Sequence, residues 1–96
     1  MRPSEALAKH RDEVLAIIAR YPVSNPRLFG SVARGEDVEG SDIDILVDGQ
    51  KGATFIDLAR LEIEIENLLN VPVGVHTPDE FRSEAIARIA FDRRAL

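Results

Sequence analysis

Apolar residues along the chain switch repeatedly between the helical and the extended spacing, and Pro or Gly marks nearly every switch. No other feature limits the fold as much. Strands separated by helices within 96 residues build a small mixed β-sheet flanked by helices, an α/β (α+β) architecture. Residues 1–96 read as one domain, because a chain of this length buries only roughly 60–70% of the surface that its unfolded form exposes. Such a chain holds one modest core, so an enzyme of this size needs a partner to complete its site or to supply its substrate.

The pattern predicts a first helix from Ser4, as N-cap, to Tyr21, with Leu7, Val14, Leu15 and Ile18 at helical spacing. Pro22–Pro26 turns the chain, and Arg27–Phe29 makes a short strand ending at Gly30. A short helix opening at Ser31 leads to an acidic loop, in which Asp37 and Glu39 are expected in solvent. A strand over Asp42–Asp48 follows, with Ile43, Ile45 and Val47 on one face and Asp42, Asp44 and Leu46 on the other. Thr54 and Asp57 have capping-box spacing and open a helix reaching about Asn70, with Leu58, Leu61, Ile65, Leu68 and Leu69 as its apolar stripe. Glu62, Glu64 and Glu66 on that helix are expected to form a solvated face, and Tyr21 to pack at a helix end. Val71–His76 is a third strand, and Thr77-Pro78-Asp79-Glu80 opens a last helix carrying Phe81, Ala85, Ile89 and Phe91. Arg93–Leu96 reads as a frayed end.

Composition removes several classes of function. A net charge of −5 disfavours general nucleic-acid binding, which depends on clustered Lys and Arg. Without cysteine there is no thiol chemistry and no thiolate metal site. No apolar run approaches the ~20 residues that span a bilayer, and the first residues lack a signal-peptide core. The expected location is the cytoplasm. With so small a core, self-association or a stable complex is also expected.

The chemistry concentrates in GSVARGEDVEGSDIDILVD, residues 30–48. Asp42 and Asp44 lie two apart in an extended segment, so both project from one face, roughly 6–7 Å apart at Cα. Two carboxylates about 5 Å apart repel by about 3 kcal/mol at an effective dielectric near 20. A divalent cation between them removes that cost, and oxygen ligands alone suit Mg²⁺, or Mn²⁺, better than zinc. Gly30 lets the backbone turn sharply and a ligand approach. If Ser31 opens a helix, the unsatisfied amides there and its hydroxyl can receive phosphate. Gly-Ser, ten residues, then Asp-x-Asp arises by chance in roughly one chain in 1000 of this length. A phosphate cradle beside two metal-binding carboxylates would hold a Mg²⁺-nucleoside triphosphate.

This segment resembles the signature of the DNA polymerase beta-type nucleotidyltransferase superfamily, and more narrowly the minimal nucleotidyltransferases (MNT). Those are small proteins often paired, as antitoxins, with HEPN-domain partners. The resemblance covers nearly the whole chain. It implies Mg²⁺, ATP as donor and transfer of AMP to a hydroxyl, in such systems a tyrosine of the HEPN-type toxin. By matching positions it implies that Gly30 and Ser31 hold the triphosphate and that Asp42 and Asp44, the catalytic pair, bind the metal. Arg34 would lie beside the phosphates or brace the acidic loop. The family pattern places a third carboxylate, which binds the metal and activates the attacking hydroxyl, on the later strand before a Thr-Pro. Here that strand is Val73-Gly74-Val75-His76, and Gly74 stands at that position. His76, two residues on and therefore on the same face, could substitute as base or ligand. The alternative is a catalytically degenerate antitoxin or binding module that neutralises its partner by contact.

Overall fold

The computed structural model describes residues 1–78 and 94–96. In chain order the elements are α1 (Pro3–Lys9), α2 (Arg11–Ile18), β1 (Val23–Phe29), α3 (Gly30–Arg34), β2 (Ile43–Gly49), α4 (Phe55–Leu69), β3 (Val73–His76) and β4 (Arg94–Ala95). The sheet order is β3-β2-β1-β4. β1 is antiparallel to β2 and β4, while β2 and β3 run parallel with α4 as the crossover, so the sheet is mixed as expected. The helix expected after Thr77, with Phe81, Ala85, Ile89 and Phe91, lies outside the described residues.

β2 is the centre of the core. Ile43, Ile45 and Val47 are fully buried on one face, and they meet Val14, Leu61 and Ile65, which are equally buried. Each such side chain contributes about 1.5–3 kcal/mol through removal from water. α4 follows its sequence signals. The Thr54 hydroxyl accepts from the Asp57 amide at 3.3 Å, the Asp57 carboxylate accepts from the Thr54 amide at 2.9 Å, and Asn70 ends the helix in the left-handed region.

Five local expectations are corrected. The first helix is two helices: His10 leaves the helical region, with φ −116°, and α2 restarts behind it. Neither Pro nor Gly marks that bend, which lets Leu7 on one piece and Val14 on the next both reach the core. Ser4 is not the N-cap but the second residue of α1, after Pro3, and its amide is spent on a distant carboxylate. β1 begins at Val23, so much of the Pro22–Pro26 turn is strand. The chain's last residues are not frayed: Arg94 and Ala95 pair with Leu28 and Arg27, the Leu96 amide donates to the Pro26 carbonyl at 3.1 Å, and Leu96 is buried.

The fifth correction concerns the glutamates of α4. Parallel pairing leaves the Val73 and Val75 amides of β3 facing away from β2. Glu66 accepts from Val73 N at 3.0 Å and Glu62 from Val75 N at 2.8 Å. Unpaired strand amides are costly, and the helix that connects β2 to β3 supplies their acceptors. Glu64 receives the Tyr21 hydroxyl and Arg20, and Tyr21 packs against the core as expected.

Candidate functional site

The corner between β1 and α3 is built around Gly30. Its φ is +75°, a region that side chains with a Cβ avoid. A Cβ there would also lie 2.8 Å from Asp44 Oδ2. The reason is the sheet register: Phe29 on β1 faces Asp44 on β2. Glycine is thus required twice at this position, for its conformation and for the approach of the carboxylate. Val32 and Ala33 anchor α3 in the core and leave Ser31 half-buried at its first turn. Gly35 closes the helix with φ +71°, its amide on the Val32 carbonyl and the Glu36 amide on the Ser31 carbonyl.

Arg34 is exposed and its Nε donates to Glu36 Oε2 at 3.0 Å. This contact ties Arg34 to the acidic loop. Asp37, expected in solvent, is buried and accepts the Ser4 amide of α1 at 2.8 Å. Burial pushes its pKa up, but hydrogen bonds from Ser4 and its own amide, with Arg2 nearby, outweigh that and hold it below the usual carboxylate range. Ser41 closes the loop, with its hydroxyl accepting from Val38 N and its amide donating to the Val38 carbonyl, both at 3.0 Å.

This loop delivers Asp42, which lies exposed one residue before β2 rather than within it. Asp44 is half-buried on β2. Burial raises its pKa, the charge of His76 opposes that, and the charge of Asp42 raises it further. The two carboxylates are therefore within electrostatic reach of each other. On the other side, Gly74 of β3 lies beside Asp44 in the parallel register. A Cβ on Gly74 would stand 2.7 Å from His76 Nε2 and 3.5 Å from Asp44 Oδ1. Phe29 meets the His76 ring edge-on, with centroids 5.8 Å apart and planes at 63°. Gly30, Asp44, Gly74 and His76 thus converge, with Asp42 at the rim. Sequence reasoning missed Gly35, whose place at a helix end is a recognisable cap signal, and Phe29, which carries no signal of its own.

Among the described residues no three His, Asp or Glu side chains converge as a ready-made metal cage. Two carboxylates, one of them destabilised in its charged form by burial and by the other, nevertheless suit Mg²⁺. That ion commonly takes one or two protein carboxylates and completes its shell with waters and substrate phosphates. A cavity of about 340 Å³ lies at the Gly49 end of β2, away from Asp44, and among the described residues no acidic side chain lines it.

A glycine corner set against a strand carboxylate, in a mixed sheet backed by helices, defines a nucleotidyltransferase-type scaffold, and comparison with known proteins agrees. The model of the nucleotidyltransferase domain family matches residues 7–96. The chain is 42% identical over 65 residues to "Putative protein adenylyltransferase MJ0435" of Methanocaldococcus jannaschii, covering 68% of this chain and 70% of that one. It is 34% identical over 77 residues to protein adenylyltransferase MntA of Thermococcus cleftensis, covering 80% and 75%. It superimposes on a solved structure described as a "putative minimal nucleotidyltransferase" with a TM-score of 0.85 at 36% identity, over 97% of this chain and 95% of that one. A toxin–antitoxin crystal structure with AMP-PNP shares the fold, with a TM-score of 0.76 at 17% identity over 88% and 69%. The chain belongs to the nucleotidyltransferase domain family, and within it to the minimal nucleotidyltransferases.

Proposed function

We propose that this chain transfers AMP from ATP to a hydroxyl of a partner protein in a Mg²⁺-dependent reaction, as the antitoxin of a toxin–antitoxin pair, with a tyrosine of a HEPN-type toxin as acceptor. The observation that carries the reading is the approach of the Asp44 carboxylate to the Gly30 corner. It brings acidic and phosphate-binding elements within one ligand's length. The adenylyltransferase names of the relatives and the AMP-PNP in the related toxin–antitoxin structure support it. Among the described residues no helix is long and apolar enough to cross a membrane, and the cytoplasm is where ATP and such a partner would be met.

In this reading Gly30 admits the triphosphate to the corner, and the Ser31 hydroxyl and the first amides of α3 donate to its oxygens. Asp42 and Asp44 would hold the ion, which supplies charge neutralisation at the phosphates when bound. Arg34 keeps the acidic loop in place through Glu36. The protein's work is then alignment and electrostatics, with little covalent chemistry.

The test is incubation of the purified chain with α-labelled ATP, Mg²⁺ and the protein encoded beside it. Label on the partner, lost in Asp42→Asn and Asp44→Asn, is the expected result. No label with wild type overturns the reading. Gly74, at the family's third carboxylate, favours a second reading in which neutralisation occurs by contact alone. Survival of neutralisation in the Asp42→Asn, Asp44→Asn double variant would establish it.

A further inference from the structure

The space above Gly74 is filled from its own strand. His76 Nε2 and Asp44 Oδ1 flank the one small volume that a side chain at 74 would enter. Three neighbouring strands wall it: Phe29 from β1, Asp44 from β2 and Gly74 from β3. Phe29, which touches the ring edge-on, also precedes Gly30 and so ties the imidazole's tilt to the glycine corner. Glycine at 74 is the condition for this arrangement, because any Cβ displaces the imidazole. Its φ is ordinary, so the backbone itself does not demand glycine there.

Building on the adenylyl-transfer reading, we infer that His76 is a catalytic residue whose Nε2 accepts the proton of the attacking hydroxyl. In the step, the acceptor oxygen forms its bond to the α-phosphorus. The bond from that phosphorus to the bridging oxygen breaks, and its electron pair leaves with pyrophosphate. The hydroxyl proton passes to Nε2, with the ring's other proton on Nδ1. Glycine at 74 and histidine at 76 are then one linked exchange: a base delivered from two residues along the strand instead of from the position itself.

The experiment compares His76→Gln, Gly74→Ala and Gly74→Asp/His76→Ala with wild type in the label-transfer assay. Calorimetry with α,β-methylene ATP and Mg²⁺ runs in parallel. His76→Gln should lower the transfer rate by roughly 10²–10⁴-fold with nucleotide affinity unchanged. Gly74→Ala, which pushes the ring aside, should lower the rate in the same direction. Gly74→Asp/His76→Ala should recover most of it by placing a carboxylate in the vacated volume. Wild-type transfer that persists at full rate in His76→Gln overturns the assignment and leaves the adenylyl-transfer reading intact. A parallel fall in nucleotide affinity assigns His76 to binding and overturns the base role. Nucleotide binding without any wild-type transfer overturns both.

Discussion

Replacing Asp44 by Asn should make the ligand-free protein more stable while abolishing its response to Mg²⁺-nucleotide. Asp44 is half-buried, and its pKa is raised by burial and by Asp42, with His76 opposing. A carboxyl whose folded pKa lies above its unfolded value binds more protons when folded within that window. Its effect on stability is therefore most favourable at low pH and is lost as pH rises through the folded pKa. At neutral pH the ionised group is a liability. Asn removes the burial cost of the charge, which is the largest cause, together with the weaker repulsion from Asp42, and gives up the opposing attraction of His76; for a group still half open to solvent the net gain is at most about 1 kcal/mol. For a chain of this size that corresponds to a rise in Tm of at most about 4–8 °C, with no cavity, since Asn matches Asp in volume. Scanning calorimetry at pH 7.5 should show the gain, and it should shrink as the pH is lowered towards 4. Wild type should gain in Tm on adding Mg²⁺ with α,β-methylene ATP, and the variant should not. A variant melting below wild type at pH 7.5, or a gap unchanged by acid, refutes the electrostatic argument.

Gly30→Ala should cost about 1–3 kcal/mol, from its left-handed backbone and from the Cβ driven against Asp44, and should weaken nucleotide binding; urea midpoints and calorimetry check this. Asp37→Ala leaves the Ser4 amide without its acceptor and should cost about 1–2 kcal/mol in urea denaturation. Because the folded pKa of Asp37 is lowered, its contribution is present at neutral pH and lost as pH falls through that folded value, so the variant should lose part of the acid dependence of stability. Removing both glutamate acceptors with Glu62→Ala/Glu66→Ala should cost about 1–3 kcal/mol and speed hydrogen exchange at Val73 and Val75 above all other strand amides. Ile63→Lys, at a position 56% exposed on α4, should change stability by less than about 0.5 kcal/mol and reports whether this face meets the partner in a pull-down.

What could be read from the sequence was local. The Thr54–Asp57 box, the alternation through β2 and the Gly-Ser corner are written within a few residues of where they act. The misreadings are non-local. Asp37 looks like a loop acid because the amide that takes it lies 33 residues earlier. Glu62 and Glu66 look solvated because helical spacing cannot show that an unpaired strand lies against them. Arg94 and Ala95 form a strand too short to carry a pattern, defined only by the residues of β1 opposite them. The bend at His10 has no breaker residue and follows from where Leu7 and Val14 must go. At the candidate site, the two-residue spacing from Gly74 to His76 was legible. That one excludes a side chain on the other was not, because it depends on a rotamer.

The carboxylates laid along β3 also decide how this protein can assemble. An unprotected strand at a sheet margin invites another chain to add on through its backbone, with little regard to sequence. Here that margin is already occupied by the molecule's own helix, and among the described residues the strand at the opposite margin is the two-residue β4. A partner that approaches this side of the molecule therefore meets side chains, among them the exposed Phe55, Ile56 and Ile63 of α4. Partner choice is then encoded in residues that can diversify without disturbing the corner at Gly30.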